Sequence, residues 1–118
     1  MGFQARLGQL VQQVEGAVAC ALLGADGIPL GQQGAELEAA WVEWGPVLQK
    51  ARTAADALGS GALEELSVQA GGMWVLMRPV GAGHHLALVV RAGGNPGKGR
   101  FLLRLHAPEV AAELAQLS

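Results

Sequence analysis

Residues 14–31, VEGAVACALLGADGIPLG, hold an unbroken apolar run between two turns that contain glycine. Residues 17–23 are apolar at every position, and a run this short with glycine near both ends predicts a strand covered on both faces. The Asp26 and Gly27 pair then predicts a tight turn into a second strand. Pro29 has no N–H to donate to a neighbouring strand, so we expect this second strand at an edge of the sheet.

Periodic apolar residues predict three helices and three further strands in the chain. Steps of three and four between apolar residues are typical of one face of a helix, and they run through residues 3–14 and 35–58. A third helix begins at Asn95 and Pro96, an N-cap residue followed by proline in the first turn. The five predicted strands are residues 17–23, 28–32, 63–70, 73–80 and 85–91.

Two prolines lie inside these predicted helices. Pro46 lacks an N–H and its ring clashes with the preceding turn, so we expect a kink or a brief break in the long helix near Trp41 and Val42. Pro108 predicts a bend in the last helix, or a restart before residues 110–117.

The strands imply a topology. Short turns make each hairpin antiparallel, yet the first and fifth strands are apolar on both sides, so helices must cover both faces of the sheet. Pro29 places strand two at one edge, and the charged third strand suits the other. The predicted fold is a single α+β domain over residues 1–118 with the order helix, two strands, helix, three strands, helix. Its five-stranded antiparallel sheet has the spatial order 2-1-5-4-3, with the long helix on one face and the terminal helices on the other.

Composition narrows the function classes. A chain of 118 residues that is 51% hydrophobic can bury a core without disulfide bonds or a structural metal. A net charge of -2, no Tyr and two Phe argue against nucleic acid as a partner. The single cysteine cannot form an internal disulfide, so we expect the cytoplasm as its compartment. No apolar run approaches the roughly 20 residues that a membrane helix needs, so we expect a soluble protein with no membrane partner.

The segment GGNPGKG at residues 93–99 invites a nucleotide-binding interpretation. It follows a strand and precedes a helix, as a phosphate-binding P-loop does. However, Ala92 stands where the first glycine belongs, and Gly99 stands where Ser or Thr should bind magnesium. We therefore expect Asn95 to cap the last helix and no nucleotide to bind.

Other polar residues give no catalytic or metal constellation. His84 and His85 are neighbours on a strand and point to opposite faces, while Cys20 lies mid-strand, so we expect a solvated turn at the histidines and no metal site. His106 could pair with a carboxylate, but no Ser or Cys stands at a strained elbow for activation. Asp26 is a lone carboxylate in a turn. We predict no catalytic residue and no cofactor.

The last helix is basic at its start. Four cations surround it, and its apolar residues include Phe101, Leu102 and Leu105; the cations are Arg91, Lys98, Arg100 and Arg104. Such a cluster is either solvated surface or a site for an acidic partner, and both interpretations stay open.

Two long segments resemble the Roadblock (dynein light-chain) family. Residues 14–31 match its Val-x-Gly helix end, apolar strand and Asp-Gly turn. Residues 66–105, LSVQAGGMWVLMRPVGAGHHLALVVRAGGNPGKGRFLLRL, match its strand, strand, small turn, strand and Asn-x-Gly helix start. The resemblance implies a non-enzymatic homodimer that binds a Ras-like small GTPase as a scaffold or regulator. Bacterial members similar to the gliding-motility regulator MglB activate such a GTPase.

The resemblance also implies where the partners meet. In Roadblock dimers the middle helices pack about the twofold axis and the third strands pair, which corresponds here to residues 36–58 and 63–70. The implied interface residues are Trp41, Trp44, Val47, Leu48, Ala51, Leu66 and Val68. From the residues alone, Trp41 and Trp44 could instead cover the sheet as core.

A ligand-sensing or adaptor module of the profilin or PAS type is the alternative function, with no GTPase partner. Such modules also place helices beside an antiparallel sheet. A sensor should keep a cavity with a few polar groups inside, whereas the predicted core here is all aliphatic and small residues.

Overall fold

The computed structural model describes residues 2–81 and 83–117, and within them it confirms the predicted order of helices and strands. The helices are α1 (Phe3–Gln13), α2 (Glu38–Leu58) and α3 (Pro96–Leu117). The strands are β1 (Ala17–Gly24), β2 (Pro29–Gly34), β3 (Leu66–Ala70), β4 (Met73–Val80) and β5 (His84–Arg91). None of these helices is long and apolar enough to cross a lipid bilayer.

The sheet has the predicted fold class and strand order. The strands lie in the order β2-β1-β5-β4-β3, and every neighbouring pair is antiparallel. Alternate residues of β5 face opposite layers: Leu86 and Leu88 pack with α1 and α3, whereas Ala87 and Val89 pack with α2. The sheet is therefore the middle of three layers, with the long helix on one face and the terminal helices on the other.

The core below α1 and α3 is the larger of the two hydrophobic layers. Leu7 and Leu10 of α1 and Leu103 of α3 are buried over the sheet in this layer. Cys20 lies mid-strand within it, as expected, and burial raises the pKa of its thiol. The thiol therefore stays protonated and unreactive near neutral pH.

The third strand is shorter than predicted. It begins at Leu66 instead of residue 63, although Leu63 still packs against the α2-side core. Leu66 pairs with Met77, so continuing the register would place Glu64 opposite Pro79. Because proline has no N–H to donate, the ladder ends before that position.

The long helix begins at Glu38, three residues later than predicted. β2 continues to Gly34, which pairs with Ala19 and has a φ of 89°, and the N–H of Ala35 donates to the carbonyl of Val18 at 3.0 Å. The backbone that the sequence pattern assigned to the first helical turn is thus engaged with β1.

Neither proline breaks its helix, so the predicted interruption of α2 and restart of α3 are wrong. The side chains of Val42 and Arg104, four residues before Pro46 and Pro108, are exposed. The carbonyl that loses its helical partner therefore lies on the solvent side, where water can replace the missing N–H. A bend at either proline stays a prediction.

The β1–β2 turn packs directly on α2. The N–H of Ile28 donates to Asp26 Oδ1 at 2.9 Å, so the carboxylate serves the turn, as expected. Gly27 has a φ of 83°, and a Cβ atom there would lie 2.7 Å from the carbonyl oxygen of Trp41. A Cβ atom on Gly45 would lie 2.8 Å from the Cα of Gly27. Glycine at both positions therefore lets the turn and the helix approach backbone to backbone.

Candidate interaction surface on α2 and β3

Two of the predicted interface residues are core residues of the chain itself. Trp41 and Leu48 are fully buried between α2 and the sheet. The indole N–H of Trp41 donates to Gln32 Oε1 at 3.3 Å, which satisfies its polar atom within the fold. These two side chains pack in the core between α2 and the sheet and stabilise the position of the helix.

Three other predicted residues form a stripe on α2 that reaches solvent. Trp44 and Ala51 are half-buried, and Val47 is 43% exposed. Their spacing of three and four residues places them on one side of the helix. Trp44 also packs against the edge of the α2-side core, so it contributes both to the core and to the surface.

The remaining predicted residues lie on β3, at the edge of the sheet. Leu66 and Val68 are half-buried; Leu66 packs against the α2-side core, and Val68 pairs with Val75 of that core. In the described part of the chain, no strand pairs with the outer edge of β3. The structure thus combines an apolar stripe on α2 with an open strand edge next to the same core. Whether a partner covers them stays a prediction.

Several backbone N–H groups of the GGNPGKG segment, residues 93–99, donate hydrogen bonds to other atoms of the chain. Asn95 caps α3 as expected, because its Oδ1 accepts the N–H of Lys98 at 3.0 Å. The N–H of Asn95 donates to the carbonyl of Glu15 at 2.8 Å, and the N–H of Gly99 donates to the carbonyl of Asn95 at 3.1 Å. The backbone N–H groups of Asn95, Lys98 and Gly99 are therefore engaged within the fold and not free to bind a phosphate.

His85 corrects the prediction of a solvated turn and of an entirely aliphatic core. It belongs to β5, is fully buried, and finds no hydrogen-bond partner for either ring nitrogen among the described residues. Burial first, and the positive charge of Arg52 second, lower its pKa to about 4. The described residues contain no group of three or more His, Cys, Asp or Glu that could hold a metal ion.

His106 lies at the contact between α1 and α3. Its Nδ1 lies 3.4 Å from Nη1 of Arg6, so its hydrogen-bond contact is with a guanidinium rather than with a carboxylate. Arg6 is shared with Glu109 and with Glu113, whose Oε1 accepts the Arg6 Nε–H at 2.7 Å. Burial lowers the pKa of His106 and the Arg6 charge lowers it further, so the group belongs to a structural ion network.

The basic start of α3 carries two apolar side chains that the sequence interpretation grouped with buried Leu102. Phe101 is 51% exposed and Leu105 is 57% exposed, whereas Leu102 and Leu103 are buried. The helical repeat could have predicted this difference. Leu103 and Val110 lie two turns apart on the buried side of α3, whereas Phe101 and Leu105 lie outside that side.

Two solved structures are similar to this chain, one mainly in fold and the other also in sequence. A Roadblock/LC7 domain from Streptomyces avermitilis matches with a TM-score of 0.87 at 17% identity, over 98% of this chain and 99% of that one. MglC from Myxococcus xanthus is 40% identical over 96% of this chain and 99% of its own, with a TM-score of 0.71. The chain belongs to the Roadblock/LC7 family.

Two further solved structures have a similar fold but a much lower sequence identity to this Roadblock domain than MglC has. MglB from Myxococcus xanthus matches with a TM-score of 0.83 at 13% identity, over 98% of this chain and 89% of that one. In sequence the domain is thus more similar to MglC than to MglB. Profilin II from Acanthamoeba castellanii shares the fold at a TM-score of 0.62 and 15% identity, over 95% of this chain and 98% of that one. No family model and no curated protein matches the sequence.

Proposed function

We propose that this Roadblock domain is a non-enzymatic regulatory or scaffold subunit of the bacterial cytoplasm that forms a homodimer and binds a Ras-like small GTPase. The observation that carries the proposal is the partly exposed apolar stripe of Trp44, Val47 and Ala51 together with the unpaired edge of β3, since Trp44 and Leu66 pack against the same core. Membership of the Roadblock family supports the same assignment, since the family resemblance implies dimerisation and a GTPase partner.

In the proposed dimer, the two α2 helices pack across a twofold axis and the two β3 strands pair. Ala51 and Ala54 let a second helix approach closely beside Val47. Leu66 and Val68 flank the contact from the sheet. A twofold interface uses the same patch on both chains, so one substitution changes the contact twice.

The dimer is tested with Val47→Glu, which places a charge in the middle of the proposed helix contact. Light scattering at micromolar concentration should show a dimer for the wild type and a monomer for this variant. Leu117→Glu is the matched control because Leu117, 72% exposed at the end of α3, lies outside the proposed interface. A wild type that is monomeric at every concentration would remove the proposed interface. Dimers that form only with a second Roadblock chain would replace the homodimer by a heterodimer.

The GTPase partner is tested by calorimetry with a Ras-like GTPase from the same genome, loaded with GDP or with a GTP analogue. Binding in either nucleotide state supports the proposal, and binding in neither state contradicts it. The rate of GTP hydrolysis on mixing then separates two roles. Acceleration indicates an activating protein, whereas binding without acceleration indicates a scaffold.

A small-ligand sensor of the profilin or PAS type is the second candidate, favoured by the shared profilin fold. The cavities of the described residues argue against it. One of them measures about 430 Å³ and is lined by Ala55, Leu58 and the exposed loop that leads to β3. A sensor pocket should enclose its ligand with a few convergent polar groups. A thermal-shift screen with small metabolites should therefore give no stabilisation.

A further inference from the structure

The outer side of the first half of α3 carries two large apolar side chains that the fold does not bury. Phe101 and Leu105 are each more than half exposed and lie four residues apart, one turn of the helix. The opposite side of the same turns holds Leu102 and Leu103, which are buried on the sheet. The exposed pair is thus additional to the apolar residues that fix α3.

Positive charge is concentrated on the same turns. Residues 92–108 contain no Asp or Glu, but they contain Lys98, Arg100 and Arg104, in a chain whose net charge is -2. The guanidinium of Arg104 lies over the ring of Phe101, 5.8 Å from its centroid. Aromatic residues and arginine are both enriched in protein–protein interfaces relative to the rest of the protein surface.

This surface already binds one carboxylate of the chain itself, that of Glu65. Glu65, just before β3, accepts a hydrogen bond from Nη2 of Arg100 at 2.6 Å. This bond holds the pKa of Glu65 below its usual range. Beside the pair lies a depression of about 170 Å³, whose lining includes Phe101 and Arg104. Among the described residues, no acidic group forms an ion pair with Arg104.

We propose that this side of α3 binds an acidic amphipathic segment of a partner protein. Phe101 and Leu105 contact apolar residues of the segment, and Arg104 pairs with one of its carboxylates, as Arg100 pairs with Glu65. Charge complementarity selects an acidic partner, and the apolar pair selects one whose apolar residues share a face. Because α3 and α2 cover opposite faces of the sheet, this surface goes beyond the proposed function and gives the domain a second binding side.

The probe is a labelled synthetic peptide with Glu on one helical face and Leu and Phe at positions i and i+4 on the other. Two control peptides carry either the same residues in scrambled order or Lys in place of each Glu. Fluorescence anisotropy with the full chain measures the dissociation constants. We expect the acidic amphipathic peptide to bind at least about tenfold more tightly than either control, and to weaken as salt is raised.

Variants connect the binding to named side chains. Phe101→Ala and Arg104→Gln should each raise the dissociation constant about tenfold, whereas Arg104→Lys should have a smaller effect because the charge is kept. Leu117→Ala is the matched control, since it shortens another exposed apolar residue of α3. The three substituted side chains are exposed, so circular dichroism should show an unchanged melting temperature for each of the four variants.

Three results would overturn the proposal. The first is equal affinity for all three peptides, and the second is undiminished binding by Phe101→Ala. The third is co-sedimentation with anionic phospholipid vesicles that these variants abolish, while peptide affinity stays the same, because this would assign the surface to a membrane. Val47→Glu should leave peptide binding unchanged, so a failed dimer and a failed α3 surface are distinguished.

Discussion

Gly27, at the corner of the β1–β2 hairpin, lies against Gly45 in the middle of α2, and neither position has room for a Cβ atom. The atoms in the way are backbone atoms, which cannot rotate aside as the end of a side chain can. The position of α2 on the sheet is thus fixed by a backbone contact in addition to the buried side chain of Trp41.

Gly45→Ala should lower the free energy of unfolding by about 1–3 kcal/mol, because the new methyl group forces the hairpin away from the helix. Urea denaturation followed by circular dichroism measures the change. Gly97→Ala is the matched control: it lies in the first turn of α3 with only an ordinary contact at 3.6 Å, and it should be neutral or stabilising. Equal losses in both variants would show that the close approach of Gly45 to Gly27 is not limiting.

Stability should fall as the pH is lowered from 6.5 towards 4 because of His85. Its pKa is about 4 in the folded chain, against an ordinary value of 6.5, so the unfolded chain binds a proton in this window that the folded chain does not. The loss amounts to about 3 kcal/mol across the window.

His85→Leu should remove most of this pH dependence. The measurement is a series of urea titrations between pH 4 and pH 6.5, comparing the slope of unfolding free energy against pH in the two proteins. Carboxylates titrate in both proteins, so the difference between the slopes isolates the histidine. Identical slopes would mean that His85 is protonated as easily in the folded chain as in the unfolded one.

Arg6→Ala should destabilise the contact between α1 and α3. The Arg6 side chain is only 15% exposed and is shared by Glu109 and Glu113, so its removal leaves a partly buried carboxylate without its partner. We expect a loss of about 1–2 kcal/mol in unfolding free energy. Arg100→Ala, which breaks a pair on the surface with Glu65, should cost much less. A double-mutant cycle with Glu113→Gln measures the coupling directly, and a coupling of zero would contradict the shared network.

The two tryptophans of α2 should respond differently to truncation. Trp41→Ala removes a fully buried side chain and should cost about 3–5 kcal/mol of unfolding free energy. Trp44→Ala removes a half-buried one and should mainly weaken the proposed dimer, so that its melting temperature depends less strongly on protein concentration than that of the wild type. A Trp44→Ala protein whose concentration dependence is unchanged would place Trp44 with the core alone.

The strand order could be predicted because a few residues limit it strongly. Pro29 can serve only an edge strand, and residues 17–23 and 85–91 are apolar enough to require cover on both faces. The element ends could not be predicted so well, because they depend on tertiary partners. Pro79, on the neighbouring strand β4, limits the length of β3. The hydrogen bond from the Ala35 N–H to the Val18 carbonyl holds residue 35 against β1, so α2 begins later than the pattern predicts.

The candidate surfaces were predicted less completely than the fold. The α2 interface was expected from the family resemblance, which assigned both Trp41, which is buried, and Val47, which is exposed, to the contact. Val47 lies outside the series of three- and four-residue steps that contains Trp41 and Leu48, so the helical spacing itself could have separated them. His85 was misjudged for a different reason, since a polar residue inside an apolar strand gives no local sign of whether its ring finds a partner.

The two edges of the sheet differ in a way that limits how many chains edge pairing can join. β2 carries Pro29, has an irregular register opposite Leu22 and Leu23, and ends at Gly34 with a φ of 89°, whereas β3 is regular over its whole length. A fibril needs two compatible edges on every molecule. This domain offers one, so pairing through β3 uses up the free edge and growth stops at two chains.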